Sequence, residues 1–261
     1  MTALLDHVLR PGALSVRFQG VYEINEGEVR CHYAEALTRG PRGTALESPD
    51  VLFEYARKRN REAPVDRACV AAILAAAQEL PSDLPIGINV HASTLALDTE
   101  FTSFLGEKAG SYGISLRRLV IEIVEHAPPW DLGGFHNALS QLRHAGARIA
   151  LDDVGLGHSN YMMILECRPD YFKIDRYFVH GAQDDYYRQA VLTSVSQLAR
   201  PFKARVIAEG VETDEDLAMA RATGIDLAQG FLFGAFKPSA GEGTATTDKD
   251  QAVITGRREK E

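Results

Sequence analysis

Apolar residues along this chain recur in short runs, and the runs alternate with longer segments of helical period. Residues 14–24 predict a strand, Asn25-Glu26-Gly27 a tight turn and residues 28–36 a second strand. A turn this short joins antiparallel neighbours only, so the chain opens on a hairpin. Gly40-Pro41-Arg42-Gly43 breaks the pattern. Ser48-Pro49-Asp50 then starts a helix to about residue 59, with proline in its first turn, and residues 66–80 predict another. From there strand and helix take turns. Strands are expected over 86–90, 119–124, 148–151, 171–174, 205–208 and 225–228, and helices over 99–112, 132–145, 161–166, 184–199 and 214–223.

Strands alternating with helices imply right-handed βαβ units and a parallel sheet. Eight strands between residues 14 and 228 fit an α/β fold of (β/α)8-like TIM-barrel type, with one antiparallel strand contributed by the N-terminal hairpin. A doubly wound open sheet is the alternative. Gly155-x-Gly157 argues for it only weakly, because the third glycine of a dinucleotide fingerprint is missing and two acids precede the loop. The barrel domain is expected over residues 1–238. Residues 239–261 carry little apolar content and are expected to be a disordered tail.

Composition narrows the function. The formal net charge is −8, which disfavours duplex DNA and anionic membrane surfaces as partners. Cys31, Cys69 and Cys167 are far apart with no CxxC spacing, as expected of reduced thiols in a cytoplasmic protein. Asp6 and His7 interrupt the first apolar residues, so no signal peptide is read, and no apolar run is long enough to span a bilayer.

The candidate chemistry sits where strands end. Residues 149–159 climb through an apolar run to adjacent Asp152 and Asp153 and then break into a glycine-rich loop. Two close carboxylates repel, and a divalent metal relieves them; a strand end followed by a capping aspartate explains the pair equally well. The same ends carry Glu35, Asn89, Glu122 with Glu125 just beyond, Lys173 sharing a face with Asp175, Glu209 and Gln229. Any single one reads as a satisfied ion pair. Seven strands doing this at one end is different, because burying unpaired charges costs several kcal/mol per ion. The donors are oxygens without a His/Cys cluster, which favours Mg²⁺ or Mn²⁺ over Zn²⁺. Two such ions roughly 3.5–4 Å apart activate water and hold phosphate oxygens. Lys173 is placed to orient that water; Arg39 either forks onto a phosphate or is a solvated surface charge.

Read in series, these residues resemble the EAL-domain family of cyclic-di-GMP phosphodiesterases, from about Phe18 to Pro238. The signature is Glu35-Ala36-Leu37, with Arg39 where that family places its substrate-binding arginine. Phe18-Gln19 precedes it, and Asn89-Val90-His91, Glu122-Ile123-Val124-Glu125, Asp152-Asp153-Val154-Gly155-Leu156-Gly157, Lys173-Ile174-Asp175, Ala208-Glu209-Gly210-Val211-Glu212 and Gln229-Gly230-Phe231 follow in order. The resemblance implies hydrolysis of cyclic-di-GMP to linear pGpG with two divalent ions. Glu35, Asn89, Glu122 and Asp152 would ligate one; Asp153 would help hold the second, with Glu209 and Asp175 nearby. It further implies Lys173, Glu209 and Glu35 as catalytic, Arg39, Gln229 and Gln19 as substrate-binding, and Glu125 and Glu212 as bracing the loop. A homodimer and a protein signalling partner are also expected.

Departures from the family pattern cluster in one loop. Val154, Leu156, His158 and Asn160 replace Phe, Thr, Tyr and Ser; Val124 replaces a Thr and His91 a Ser; Gly20 and Gly40 replace Pro and Trp. His91 and His158 read as polar wall residues. The altered loop keeps a second reading open, a receptor that binds cyclic-di-GMP without cutting it. A one-metal barrel lyase is a third. No sensor domain is read here, so control is expected from another chain or from self-association.

Overall fold

β1 (Ser15–Glu23) and β2 (Arg30–Arg39) pair antiparallel, and β1 pairs antiparallel on its other edge with β8 (Leu227–Ala228). Between them run β3 (Ile86–His91), β4 (Leu119–Val124), β5 (Arg148–Val154), β6 (Tyr171–Ile174) and β7 (Arg205–Ala208), all parallel to β2 and β8. The ladder closes in sequence order, so the molecule is a barrel and the open-sheet alternative is excluded. The computed structural model describes residues 3–24, 29–124, 131–156 and 161–236. The predicted hairpin turn and C-terminal tail lie outside the described residues.

Ten helices among the described residues surround the sheet: α1 (Ala3–Val8), α2 (Pro49–Lys58), α3 (Glu62–Ala76), α4 (Ala92–Leu97), α5 (Phe101–Ser111), α6 (Leu132–His144), α7 (Tyr161–Cys167), α8 (Arg176–Val179), α9 (Tyr186–Phe202) and α10 (Asp214–Ala222). All eight expected strands are present, with ends displaced by a few residues. β2 continues past residue 36 to Arg39, so Glu35 lies inside the strand rather than at its end. The helix expected over 99–112 is α5, and a further short helix, α4, precedes it, the two separated at Asp98. That carboxylate is clamped by both Nε and Nη2 of Arg67 on α3, each at 2.7 Å, a bidentate pair that fixes the corner. The helices α1, α4 and α8 are not anticipated by the hydrophobic pattern; each is at most six residues, shorter than the period needs to declare itself.

Strand alternation sorts side chains into an outer and an inner set. Ala34, Ala36, Ile86, Ile88, Ile121, Ile123, Ile149, Leu151, Phe172, Ile174, Val206 and Ala208 face outwards and form one apolar cluster with the helices. Inside, Val21, Tyr33, Val120, Ala150, Tyr171, Ile207 and Leu227 make a second, separate cluster, one residue from every strand but β3, where Gly87 stands. This layer plugs the barrel, and the inward side chains two residues nearer the mouth stand on it. Below it, Arg205 donates to Glu23 Oε1 at 2.9 Å and Arg148 to the Tyr171 hydroxyl at 2.8 Å, closing the opposite end with satisfied polar groups.

Asp216 anchors the last helical connection. Its side chain is buried and accepts from the backbone N–H of Gly181, Glu212 and Thr213, while the Thr213 hydroxyl accepts from Asp216 N–H to complete a capping box. Burial pushes this carboxyl up, but the Glu212 and Gly181 N–H groups outweigh it and hold it below the usual aspartate range. Its contribution to stability is therefore present at neutral pH and is lost as pH falls through its lowered folded-state value. Asp216→Ala is expected to cost about 3 kcal/mol, and calorimetry would read this as a fall in Tm of roughly 6–12 °C.

Candidate active site

Two residues above the apolar plug, every strand, or the residue just past its end for β7 and β8, turns one polar side chain inwards: Gln19, Glu35, Asn89, Glu122, Asp152, Lys173, Glu209 and Gln229. The register pairs some of them directly, while elsewhere it is offset, with Glu35 opposite Gly87 and Glu122 opposite Ala150. Glu35 pairs with Gln19 across β1–β2, and Asn89 with Glu122 across β3–β4. Lys173 is 1% exposed, and its Nζ lies 2.5 Å from Glu122 Oε2, 2.9 Å from Glu209 Oε1, 3.0 Å from Asp152 Oδ1 and 3.4 Å from Glu35 Oε2. Asn89 Nδ2 donates to Glu35 Oε1 at 3.0 Å, and Gln229 Nε2 donates to Glu35 Oε2 at 2.6 Å and to Gln19 Oε1 at 3.2 Å. The layer is one connected network.

One ammonium against four carboxylates leaves an excess of negative charge out of water. Burial pushes Lys173 down, but its carboxylate neighbours, Asp152 foremost, raise it well above the ordinary lysine value, so it stays charged. Burial and then Glu35 push Glu122 up to about 8. Burial and then Asp152 push Asp153 up to about 6. Glu209 is held well above the usual range, chiefly by burial. Glu35 goes the other way: burial is outweighed by Lys173 and by the amides of Asn89 and Gln229.

Two backbone features make room for this density. Gly87 stands against Glu122: a Cβ there would lie 2.1 Å from Glu122 Oε1 and 2.8 Å from the Tyr33 ring. Gly87→Ala is expected to displace that carboxylate and to weaken divalent-cation binding, read by titration calorimetry, with a stability cost of about 1–3 kcal/mol. In β5 the register breaks between Leu151 and Val154, and Asp153 adopts φ 51°, a left-handed conformation that aspartate tolerates. Adjacent strand residues otherwise face opposite sides; here both aspartates serve one cluster.

The donor set suits hard cations. Asp152, Asp153 and Glu209 each offer an oxygen, all within 4.8 Å of one another. Glu35 can only accept, so the Asn89 nitrogen must face it, and Asn89 Oδ1 is left buried without a hydrogen-bond donor. Glu122 Oε1 is likewise buried and accepts no hydrogen bond. Buried oxygens of this kind are what a Mg²⁺ or Mn²⁺ ion satisfies.

Cavities of about 360 and 320 Å³ flank the layer, and Leu37 and Asp152 line both. Asp175 borders the second and caps α8, accepting from Tyr177 N–H at 2.7 Å. Glu212 borders the same cavity, and its N–H is held by Asp216. Arg39 is exposed at the end of β2 and lines neither cavity. Glu125, Gly157, His158 and Asn160 lie outside the described residues. His91 is a buried wall residue of the first cavity, in line with the expectation. Three groups escaped the sequence reading: Arg57 and Phe53 beside the first cavity, Arg176 beside the second. Arg176 directly follows the Lys173-Ile174-Asp175 motif, the one signal that pointed to it; the other two sit on a helix with nothing distinctive around them.

Comparison with known proteins agrees with this geometry. The EAL domain family model matches residues 3–235. The probable cyclic di-GMP phosphodiesterase PdeG of Escherichia coli (strain K12) is 30% identical over 242 residues, covering 90% of this chain and 46% of PdeG. The cyclic di-GMP phosphodiesterase TpdA of Vibrio parahaemolyticus is 31% identical over 150 residues, covering 58% of this chain and 26% of TpdA. The chain spans less than half the length of these relatives. Among solved structures, a manganese/cyclic-di-GMP complex of Klebsiella pneumoniae BlrP1 superposes with a TM-score of 0.74 at 29% identity, over 86% of this chain and 56% of BlrP1. An EAL domain protein of Listeria monocytogenes shares the fold with a TM-score of 0.76 at 20% identity, over 91% and 94% of the two chains. With the signature residues gathered at one mouth of the barrel and the family match running almost end to end, this chain belongs to the EAL domain family.

Proposed function

We propose that the chain hydrolyses a phosphodiester bond of cyclic-di-GMP to give linear pGpG. The observation that carries this reading is the ring of eight polar side chains with an excess of carboxylates and a single ammonium, set between two cavities. A cyclic dinucleotide carries its phosphodiesters between two bases, and a cavity on each side of the charged layer matches that shape. Similarity to cyclic di-GMP phosphodiesterases and to a cyclic-di-GMP complex supports the same choice.

Glu35, Asn89, Glu122 and Asp152 are the residues assigned to one divalent ion, and Asp153 and Glu209, with Asp175 nearby, to another. When bound, Mg²⁺ or Mn²⁺ supplies Lewis-acid charge to the phosphate and lowers the pKa of water. The residues themselves have separable tasks. Lys173 donates a hydrogen bond to the attacking water and fixes its lone pair towards phosphorus. Glu209, whose Oε1 lies 2.9 Å from the Lys173 ammonium, is the carboxylate placed to take the proton that the water releases. The new P–O bond forms as the bond to the ribose 3′-oxygen breaks, and that oxygen leaves with a proton from solvent. Gln229 holds Glu35 and is itself held by Gln19, and both present amide groups to the substrate. Arg39 and Arg176, both exposed near the mouth, supply positive charge for the second phosphate.

No helix among the described residues is long and apolar enough to cross a membrane. A cytoplasmic location and self-association complete the proposal. Leu97, Leu132, Met162 and Leu165 are exposed on α4, α6 and α7. α4 packs on α6, and the His136–Glu166 contact joins α6 to α7. Such a strip suits pairing with a second copy, and sedimentation at increasing concentration tests it.

The decisive experiment incubates the purified chain with cyclic-di-GMP and Mn²⁺ or Mg²⁺ and follows products by chromatography. Linear pGpG is expected. No linear product at any enzyme concentration refutes hydrolysis, and tight binding without turnover establishes the receptor reading instead.

A further inference from the structure

Asn89 sits where its strand has lost half of its support. The β2–β3 ladder ends at the Ala36–Ile88 pair, while β4 continues beside β3 as far as His91. The tip from Asn89 to His91 is therefore held by a strand on one side only. On the other side stands Asp66, 1% exposed, in the second turn of α3. One carboxylate makes three bonds to this tip and the helix after it. Asp66 Oδ2 accepts from His91 N–H at 3.0 Å and from the Thr94 hydroxyl at 2.6 Å, and Asp66 Oδ1 accepts from His91 Nδ1–H at 2.8 Å. One turn earlier on the same helix, Glu62 accepts from the Ser93 hydroxyl at 2.7 Å and from Arg57 Nε at 3.1 Å. The Phe53 ring lies 5.2 Å from the His91 ring.

We propose that Asp66 and His91 form a latch that takes the place of the missing strand and positions Asn89 for the divalent ion. The inference rests on the cation assignment made above and adds two positioning residues to it. Its logic is geometric. A buried carboxylate with several donors on one turn fixes the backbone of that turn. The side chain two residues earlier points into the barrel, and Asn89 Oδ1 is its unsatisfied oxygen. Because the same amide donates to Glu35, a shift of the tip also moves the partner of a second carboxylate. Outer partners that orient a metal-facing group typically change metal affinity by roughly 10–100-fold when removed.

The test is Mn²⁺ titration calorimetry on the full chain, paired with cyclic-di-GMP turnover at saturating Mn²⁺. His91→Leu and Asp66→Asn are expected to weaken Mn²⁺ binding by roughly 10–100-fold, with turnover rising as Mn²⁺ is raised to saturation. His91→Asn is the conservative rescue, because its Nδ2 occupies the place of Nδ1 and still donates to Asp66; its Mn²⁺ affinity is expected close to wild type. Asp98→Asn loosens the neighbouring Arg67 clamp without touching the latch, and is expected to lower Tm and leave Mn²⁺ affinity unchanged. Folded His91→Leu with unaltered Mn²⁺ affinity overturns the latch, even if Asp66→Asn fails to fold. Equal losses in His91→Leu and His91→Asn also overturn it, because then the hydrogen bond does not matter. Mn²⁺ binding that responds as expected in a chain without turnover sinks the proposed hydrolysis but not the latch. A wild-type chain that binds no Mn²⁺ overturns both.

Discussion

Replacing Lys173 with methionine is expected to unfold the metal-free chain more readily than any other single change in the site. Methionine fills a similar volume, so the loss is one of charge. The Lys173 ammonium lies within 3.4 Å of four carboxylates, on β2, β4 and β5 and just past β7, and its removal leaves them facing one another. Breaking a buried ion pair costs about 3–5 kcal/mol, which corresponds to a fall in Tm of roughly 6–20 °C for a domain of this size. The test is calorimetry in EDTA and again in Mn²⁺. In EDTA the fall should be full; in Mn²⁺ much of it should be recovered, because cations then satisfy the same oxygens. Turnover should stay at least on the order of 10²-fold down even where the fold is restored. An unchanged Tm in EDTA would show that the carboxylates are already protonated or solvated and that the ammonium holds nothing together.

Glu35→Gln should do the reverse. It removes one negative charge from a layer that has too many, so stability in EDTA is expected to stay within a few degrees of wild type or to rise. One of the two amides now facing Glu35, from Asn89 or Gln229, must turn round to accommodate a second donor, a modest disturbance of about 1 kcal/mol. Mn²⁺ affinity and kcat, by contrast, should fall, the latter by on the order of 10³-fold. The pair of substitutions separates two roles that a loss of activity alone would merge. A Glu35→Gln chain that retains wild-type turnover would remove this carboxylate from the chemistry altogether.

Most of the site was readable because each member interrupts an apolar strand. Lys173 between Phe172 and Ile174, or Glu122 between Ile121 and Ile123, has no reason to be there unless the barrel interior holds something charged. What could not be read was the geometry that makes the eight a single layer. Contacts across the barrel through Lys173 and Glu35 join them, and Glu35 looked like a strand terminus because the continuation to Arg39 alternates too irregularly to declare itself. Asp66 was hidden for a different reason. In sequence it is one acid near the start of a helix, an ordinary choice at that position. Its partners lie 25 and 28 residues away, and only packing of α3 against the end of β3 reveals them. Asp153 owes its place to a left-handed backbone angle that no pattern of side chains encodes.

The reversal of β1 decides where traffic reaches the molecule. In a uniformly parallel barrel the first strand enters from the floor. Here Ser15 pairs with Arg39, so the chain comes in beside the rim where substrate must pass and descends from there. Ser15 consequently stands at the doorway of the pocket rather than in its basement, a short reach from whatever occupies it.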